Sequence, residues 1–323
     1  MTRVDAERAE TASATISEAA LRPRHHLGLR AGAELLGTLL VVLAGAGVVM
    51  FTNTNLAPFP GPIATGLATI AVMYAFGRIS GGHFNPVLTL ASAVAGRTGW
   101  RDALVYLVAQ LAGAFGAVLV LAAVLRNVAG TKVDQVFRVV AAGYADHSPF
   151  QVQLPGVLLV EIICSAILAA VYLAASKDGK NRNVAAAAVS VGLSLAVLAQ
   201  FAQSLSNSLF NPARSLATAV FAEPWALQQQ WVFWVAPLAG ALLTGMVARL
   251  INITGADLAA ARAERGAEFD AEVTGIVGAP SVAAPAEAPQ PAAEVPAEPS
   301  PEDISAARAD AEHEETRDFF DKK

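Results

Sequence analysis

The sequence predicts an all-α integral membrane protein with six spanning helices, two half-helices and an inverted internal repeat. Three observations predict it. Of the 323 residues, 54% are hydrophobic and only 15% charged, whereas a soluble domain carries about 25% charge. Six apolar segments, near residues 29–51, 63–79, 101–125, 155–175, 184–204 and 230–252, are each long enough to cross a hydrocarbon core as a helix. An Asn-Pro pair occurs twice, in Ser80-Gly81-Gly82-His83-Phe84-Asn85-Pro86-Val87 and Ser208-Leu209-Phe210-Asn211-Pro212-Ala213-Arg214-Ser215. Each pair opens about ten apolar residues, half of what a crossing takes.

Taken in order, residues 1–28 form a polar leader ending in the basic Arg22-Pro23-Arg24-His25-His26, expected to be disordered and cytoplasmic. No cleavable signal is expected, because the first apolar segment follows this long leader and is long enough to span. The membrane domain is expected over residues 29–254, with halves at about 29–126 and 155–254. Small residues such as Gly113, Ala114, Gly116, Gly240 and Gly245 suit close helix packing in lipid. Residues 52–62 carry no charge, while residues 22–30, 97–101 and 177–182 are basic. The positive-inside rule then puts both termini in the cytoplasm. Residues 126–153 are of mixed charge.

The formal net charge of −5 is divided unevenly along the chain. Residues 1–254 hold 16 Lys/Arg against 11 Asp/Glu, and residues 255–323 hold 6 against 16. The acidity therefore belongs to a tail, and the chain offers no basic face for nucleic acid. Seven of the 17 prolines fall between Pro280 and Pro301. That Ala/Pro/Glu-rich tail is expected to be disordered and cytoplasmic. Phe319 and Phe320 near its end leave two readings open, a solvated tail or a peptide for a cytoplasmic partner. The single Cys164 excludes an intrachain disulfide and a Cys-based metal site.

Proline suits the first helical position, and an asparagine before it caps the helix. Half-helices would direct their positive dipole ends into the bilayer, where irregular backbone is tolerated only around a cavity or within protein. Glu34 precedes Asn85 by 51 residues and Glu161 precedes Asn211 by 50. Each half has three spans, so the second half is inverted, and the half-helices meet tip to tip. Arg214 inside a membrane segment is costly and marks function. Glu34 and Glu161 leave a proton relay or structural braces open.

At these motifs the chain resembles the aquaporin (major intrinsic protein) family. Further matches are Ala33-Glu34-Leu35-Leu36-Gly37-Thr38, Ala109-Gln110-Leu111-Ala112-Gly113, Gly192-Leu193 and Phe233-Trp234. The resemblance implies a right-handed bundle, a homotetramer in the cell membrane with one pore per subunit, no enzymatic step, no metal and no cofactor. It implies that Asn85 and Asn211, with Pro86, Val87, Pro212 and Ala213, form the pore centre. The carbonyls of Gly81, Gly82 and His83, and of Asn207, Ser208 and Leu209, would form an acceptor track. Arg214 would stand in the outer constriction and, with the helix ends, repel cations and protons. Glu34 and Glu161 would brace the pore loops.

Two departures matter. Val87 stands where the family keeps Ala. The outer ring would be Thr65, Ala199, Ser208 and Arg214, where water-selective members keep Phe at the first position and His at the second. Such a ring lacks both bulky groups and also the aromatic wedge of glycerol facilitators. Ser215, Ala219 and Phe233-Trp234 side with the water branch. The resulting expectation is a channel for water and larger neutral solutes such as ammonia, urea, small polyols or undissociated metalloid acids. The alternatives are a facilitator with little water selectivity, an ion-coupled secondary transporter, and a scaffold whose pore is incidental.

Overall fold

A computed structural model describes residues 25–52, 59–176 and 183–276. Within them the order is α1 (Leu27–Phe51), α2 (Gly61–Ser80), α3 (Pro86–Val94), α4 (Trp100–Leu125) and α5 (Val133–Arg138), then a 3-10 turn (Ala145–His147). There follow α6 (Leu154–Ala175), α7 (Val184–Gln203), α8 (Pro212–Phe221), α9 (Pro224–Gln228) and α10 (Val232–Ile276). Six helices are long and apolar enough to cross a membrane, and no strand occurs among the described residues. Large apolar side chains such as Tyr74, Val108, Val197 and Leu250 remain exposed on the outside of the bundle, as a lipid-facing surface requires.

Asn85 and Asn211 cap the half-helices α3 and α8, accepting from Val87 N at 2.9 Å and Arg214 N at 3.2 Å. With 9 and 10 residues, these helices are each about 14 Å long at about 1.5 Å per residue. That is half a hydrocarbon core.

The repeat is visible in packing as well as in sequence. One offset of 127 residues relates Glu34 to Glu161, Leu35 to Ile162 and Gly113 to Gly240. A Cβ on Gly113 would run into the Leu35 carbonyl, and a Cβ on Gly240 would run into the Ile162 carbonyl. Thus α4 lies as closely on α1 as α10 lies on α6. The halves meet where α2 crosses α7, and a Cβ on Gly66 would stand 2.5 Å from the Gly192 carbonyl. Only glycine permits backbones this close.

Three features differ from the sequence expectation. Residues 126–153 carry α5 and the 3-10 turn, with Phe137 fully buried. This segment is tied down by Gly143 N to Ser206 O at 3.0 Å and by Phe150 N to Ser204 O at 3.0 Å. The short helix α9 follows the second half-helix. Helix α10 continues to Ile276, past residue 254 where the apolar span ends. Alanine-rich residues 255–276 favour helix whether or not they are apolar. The chain divides into two compact units, Met1–Ala263 and a second beginning at Glu264. The leader before residue 25 and the tail beyond residue 276 lie outside the described residues.

Candidate functional site

The first half-helix is held by a loop that α1 braces. Glu34 is fully buried. Its Oε1 accepts from Ser80 Oγ at 2.6 Å and from His83 N at 3.0 Å. Its Oε2 accepts from Phe84 N at 2.6 Å and from Gln110 Nε2 at 2.8 Å. A turn with Gly81 at φ 106° and Gly82 at φ 73° brings these N–H groups together, in backbone space that side chains disfavour. Tyr106 Oη donates to Ser80 O at 2.7 Å and Tyr172 Oη to Gly81 O at 3.1 Å. Both tyrosine rings stand edge-on to His83, whose Nδ1 lies 3.1 Å from Thr89 Oγ1.

The second loop repeats this plan with different donors. Glu161 accepts from Ser206 Oγ at 2.8 Å and Ser208 Oγ at 2.9 Å. These hydroxyls in turn accept from Ser208 N at 3.3 Å and Phe210 N at 3.2 Å. Phe84 and Phe210, each just before its asparagine, adopt positive φ of 50° and 52°. Such strain in a non-glycine residue persists only where surrounding contacts hold it.

The asparagines then reach across the pseudo-two-fold. Asn85 Nδ2 donates to Phe210 O at 2.9 Å, and Asn211 Nδ2 donates to Phe84 O at 3.2 Å. Each amide therefore caps its own half-helix with oxygen and ties the other loop with nitrogen. Pro86 and Pro212 occupy the first helical positions. Val87 and Ala213 are fully buried behind them.

A cavity runs past this junction, bordered by Asn85, Asn211, His83, Leu209, Thr65, Thr69 and Arg214. Its remaining wall is apolar, with Val41 and Val42 from α1, Phe84 just before Asn85, Leu88 from α3, Leu168 from α6, and Val191 and Leu195 from α7. Arg214 is buried; its Nη2 donates to Val140 O at 3.1 Å, while Nε and Nη1 have no protein partner. Buried donors are normally satisfied, so these two stand out on a side chain that borders the cavity. Asn207 Nδ2 donates to Val139 O and Ala141 O, both at 2.9 Å, and so grips the carbonyls on either side of Val140.

The expected outer ring is only half present on the cavity wall. Thr65 and Arg214 border it, and Ala199 and Ser208 do not. Both hydroxyls of that ring are engaged elsewhere: Thr65 Oγ1 donates to Gly61 O at 2.8 Å, and Ser208 Oγ donates to Glu161. Ala199 is fully buried in the core, and Leu195, one turn earlier, faces the cavity. Of the expected carbonyl residues, His83 and Leu209 border the cavity, whereas Gly81, Gly82, Asn207 and Ser208 do not. The aliphatic wall and Thr69 were not picked out from the sequence. Within spans that are apolar all round, no periodicity separates a cavity face from a lipid face.

Comparison with known proteins agrees with this geometry. The family model for Major intrinsic protein matches residues 26–248. Aquaporin Z of Photorhabdus laumondii is 34% identical over 232 residues, covering 68% of this chain and 95% of its own. Aquaporin Z of Rhodopseudomonas palustris is 33% identical over 224 residues, covering 68% of this chain and 92% of its own. In fold, the aquaglyceroporin from Plasmodium falciparum matches with a TM-score of 0.55 at 18% identity, covering 69% of this chain and 94% of its own. Two capped half-helices cross-tied around a cavity, together with a family match running through all six spans, make this chain a member of the major intrinsic protein family, whose members are channels and not enzymes.

Proposed function

We propose that the chain is a passive, bidirectional channel for water and for larger uncharged solutes, working in the cell membrane as a homotetramer with both termini cytoplasmic. The observation that carries this reading is the cavity itself, bordered by the polar Asn85, Asn211 and Arg214 and by apolar side chains. A neutral molecule hydrogen-bonds to the polar groups and slides along the apolar ones. Arg214 and the two positive helix ends oppose cations. The relatives named Aquaporin Z support the water part. The basic flanks at residues 22–30 and 97–101 support the orientation. The acidic tail, residues 255–323, is cytoplasmic in this reading.

Passage of larger solutes rests on Thr65. Its side chain borders the cavity beside Arg214 where water-selective members keep Phe, and its hydroxyl is withdrawn onto the Gly61 carbonyl. Thr in place of Phe leaves the ring without a bulky wall, and with its hydroxyl withdrawn the ring is weakly polar rather than hydroxyl-lined, which also suits solutes with a carbon skeleton. Stopped-flow light scattering of proteoliposomes in water, urea and glycerol gradients tests this. Thr65→Phe is expected to reduce urea and glycerol flux about tenfold more than water flux, in line with the discrimination a small change of pocket size brings. Equal loss of all three fluxes contradicts this reading of the ring.

A further inference from the structure

Gly45 does not border the cavity, yet it lies directly behind Thr65, which does. Gly45 is buried on α1 opposite Thr65 of α2. A Cβ built on Gly45 would overlap Thr65 Oγ1 and stand 3.2 Å from Thr65 Cβ and 3.5 Å from Cγ2. The Thr65 hydroxyl therefore occupies the space that a side chain at position 45 would take. That space lets Oγ1 turn back to donate to Gly61 O at 2.8 Å.

Neither helix has room to retreat if the space is filled. On its other flank α2 lies against α7, where a Cβ on Gly66 would stand 2.5 Å from the Gly192 carbonyl and 2.6 Å from Ala196 Cβ. Helix α1 is likewise backed by α4, where a Cβ on Gly113 would lie 3.1 Å from Leu39 N and 3.1 Å from the Leu35 carbonyl carbon. Close-packed interiors pass an added methyl to whichever neighbour can move. Here that neighbour is the Thr65 side chain, and its open side is the cavity it shares with Arg214.

We infer that Gly45 is a positioning residue for solute selection: its missing side chain holds Thr65 out of the passage and so sets which neutral molecules pass Arg214. This rests on the reading of a channel that admits more than water. The test uses the full chain in proteoliposomes and reads the ratio of urea to water permeability. Gly45→Ala is expected to lower that ratio about tenfold, the usual weight of one methyl in a fitted apolar pocket. In a Thr65→Ala background the same change is expected to leave the ratio unmoved, because the displaced group is gone. A generally destabilised bundle would lower both fluxes and would not respond to position 65.

If Gly45→Ala abolishes water flux, restoration by Thr65→Ala supports the inference, and failure to restore overturns it. An unchanged ratio in Gly45→Ala also overturns it. The reading beneath it fails separately: wild-type vesicles that pass water but urea no faster than empty liposomes would remove the larger solutes from the proposed function.

Discussion

Glu34→Ala is expected to destabilise the channel far more than Glu161→Ala, although the two glutamates hold equivalent places in the repeat. Glu34 accepts from two backbone N–H groups, those of His83 and Phe84, as well as from Ser80 and Gln110. Of the four donors its removal frees, the two backbone N–H groups are stranded in a dry interior, where each costs about 1–3 kcal/mol. Backbone donors cannot rotate toward another acceptor. Glu161 accepts from the Ser206 and Ser208 hydroxyls, which turn freely to other partners. A loss of roughly 4 kcal/mol or more is expected for Glu34→Ala. In a protein of this size that lowers the melting temperature by roughly 10 °C. Thermal unfolding of the detergent-solubilised protein measures it. Equal shifts for the two variants would show that the backbone donors of the first loop find other partners.

Arg214→Val is expected to open the passage to protons and small cations. The guanidinium is buried, held by Val140 O, and belongs to a side chain that borders the cavity. At about 5 Å and an effective dielectric of about 20, a fixed charge costs a passing cation about 3 kcal/mol. That corresponds to roughly two orders of magnitude in occupancy. An imposed pH gradient should therefore collapse much faster in vesicles carrying Arg214→Val than in wild-type vesicles, with water flux retained. A proton leak equal to wild type would assign the exclusion to the asparagines and helix ends alone.

These two residues also show how far the sequence could be read. The starts of both half-helices were legible because Asn-Pro states a cap and a first turn chemically, and helices begin at Pro86 and Pro212. The six spans were legible from hydropathy, but the end of the last was not. Hydropathy reports the membrane, and the alanine-rich residues after Thr254 stay helical regardless. The inequality of Glu34 and Glu161 was hidden, since it depends on which hydroxyls fold back on the acid. The polarity of the ring was hidden for the same reason. Thr65 and Ser208 are hydroxyl residues in sequence, yet their rotamers direct those hydroxyls to Gly61 and Glu161. Val140, which holds Arg214, lies in a segment whose charge pattern gave no sign of it.

The most direct measurement combines an osmotic step with a pH reporter inside the same proteoliposomes. The account predicts volume relaxation well above that of empty liposomes in water and in urea gradients, in both directions, with internal pH unchanged. Water flux no faster than in empty liposomes, or urea movement that requires a proton gradient, would contradict it.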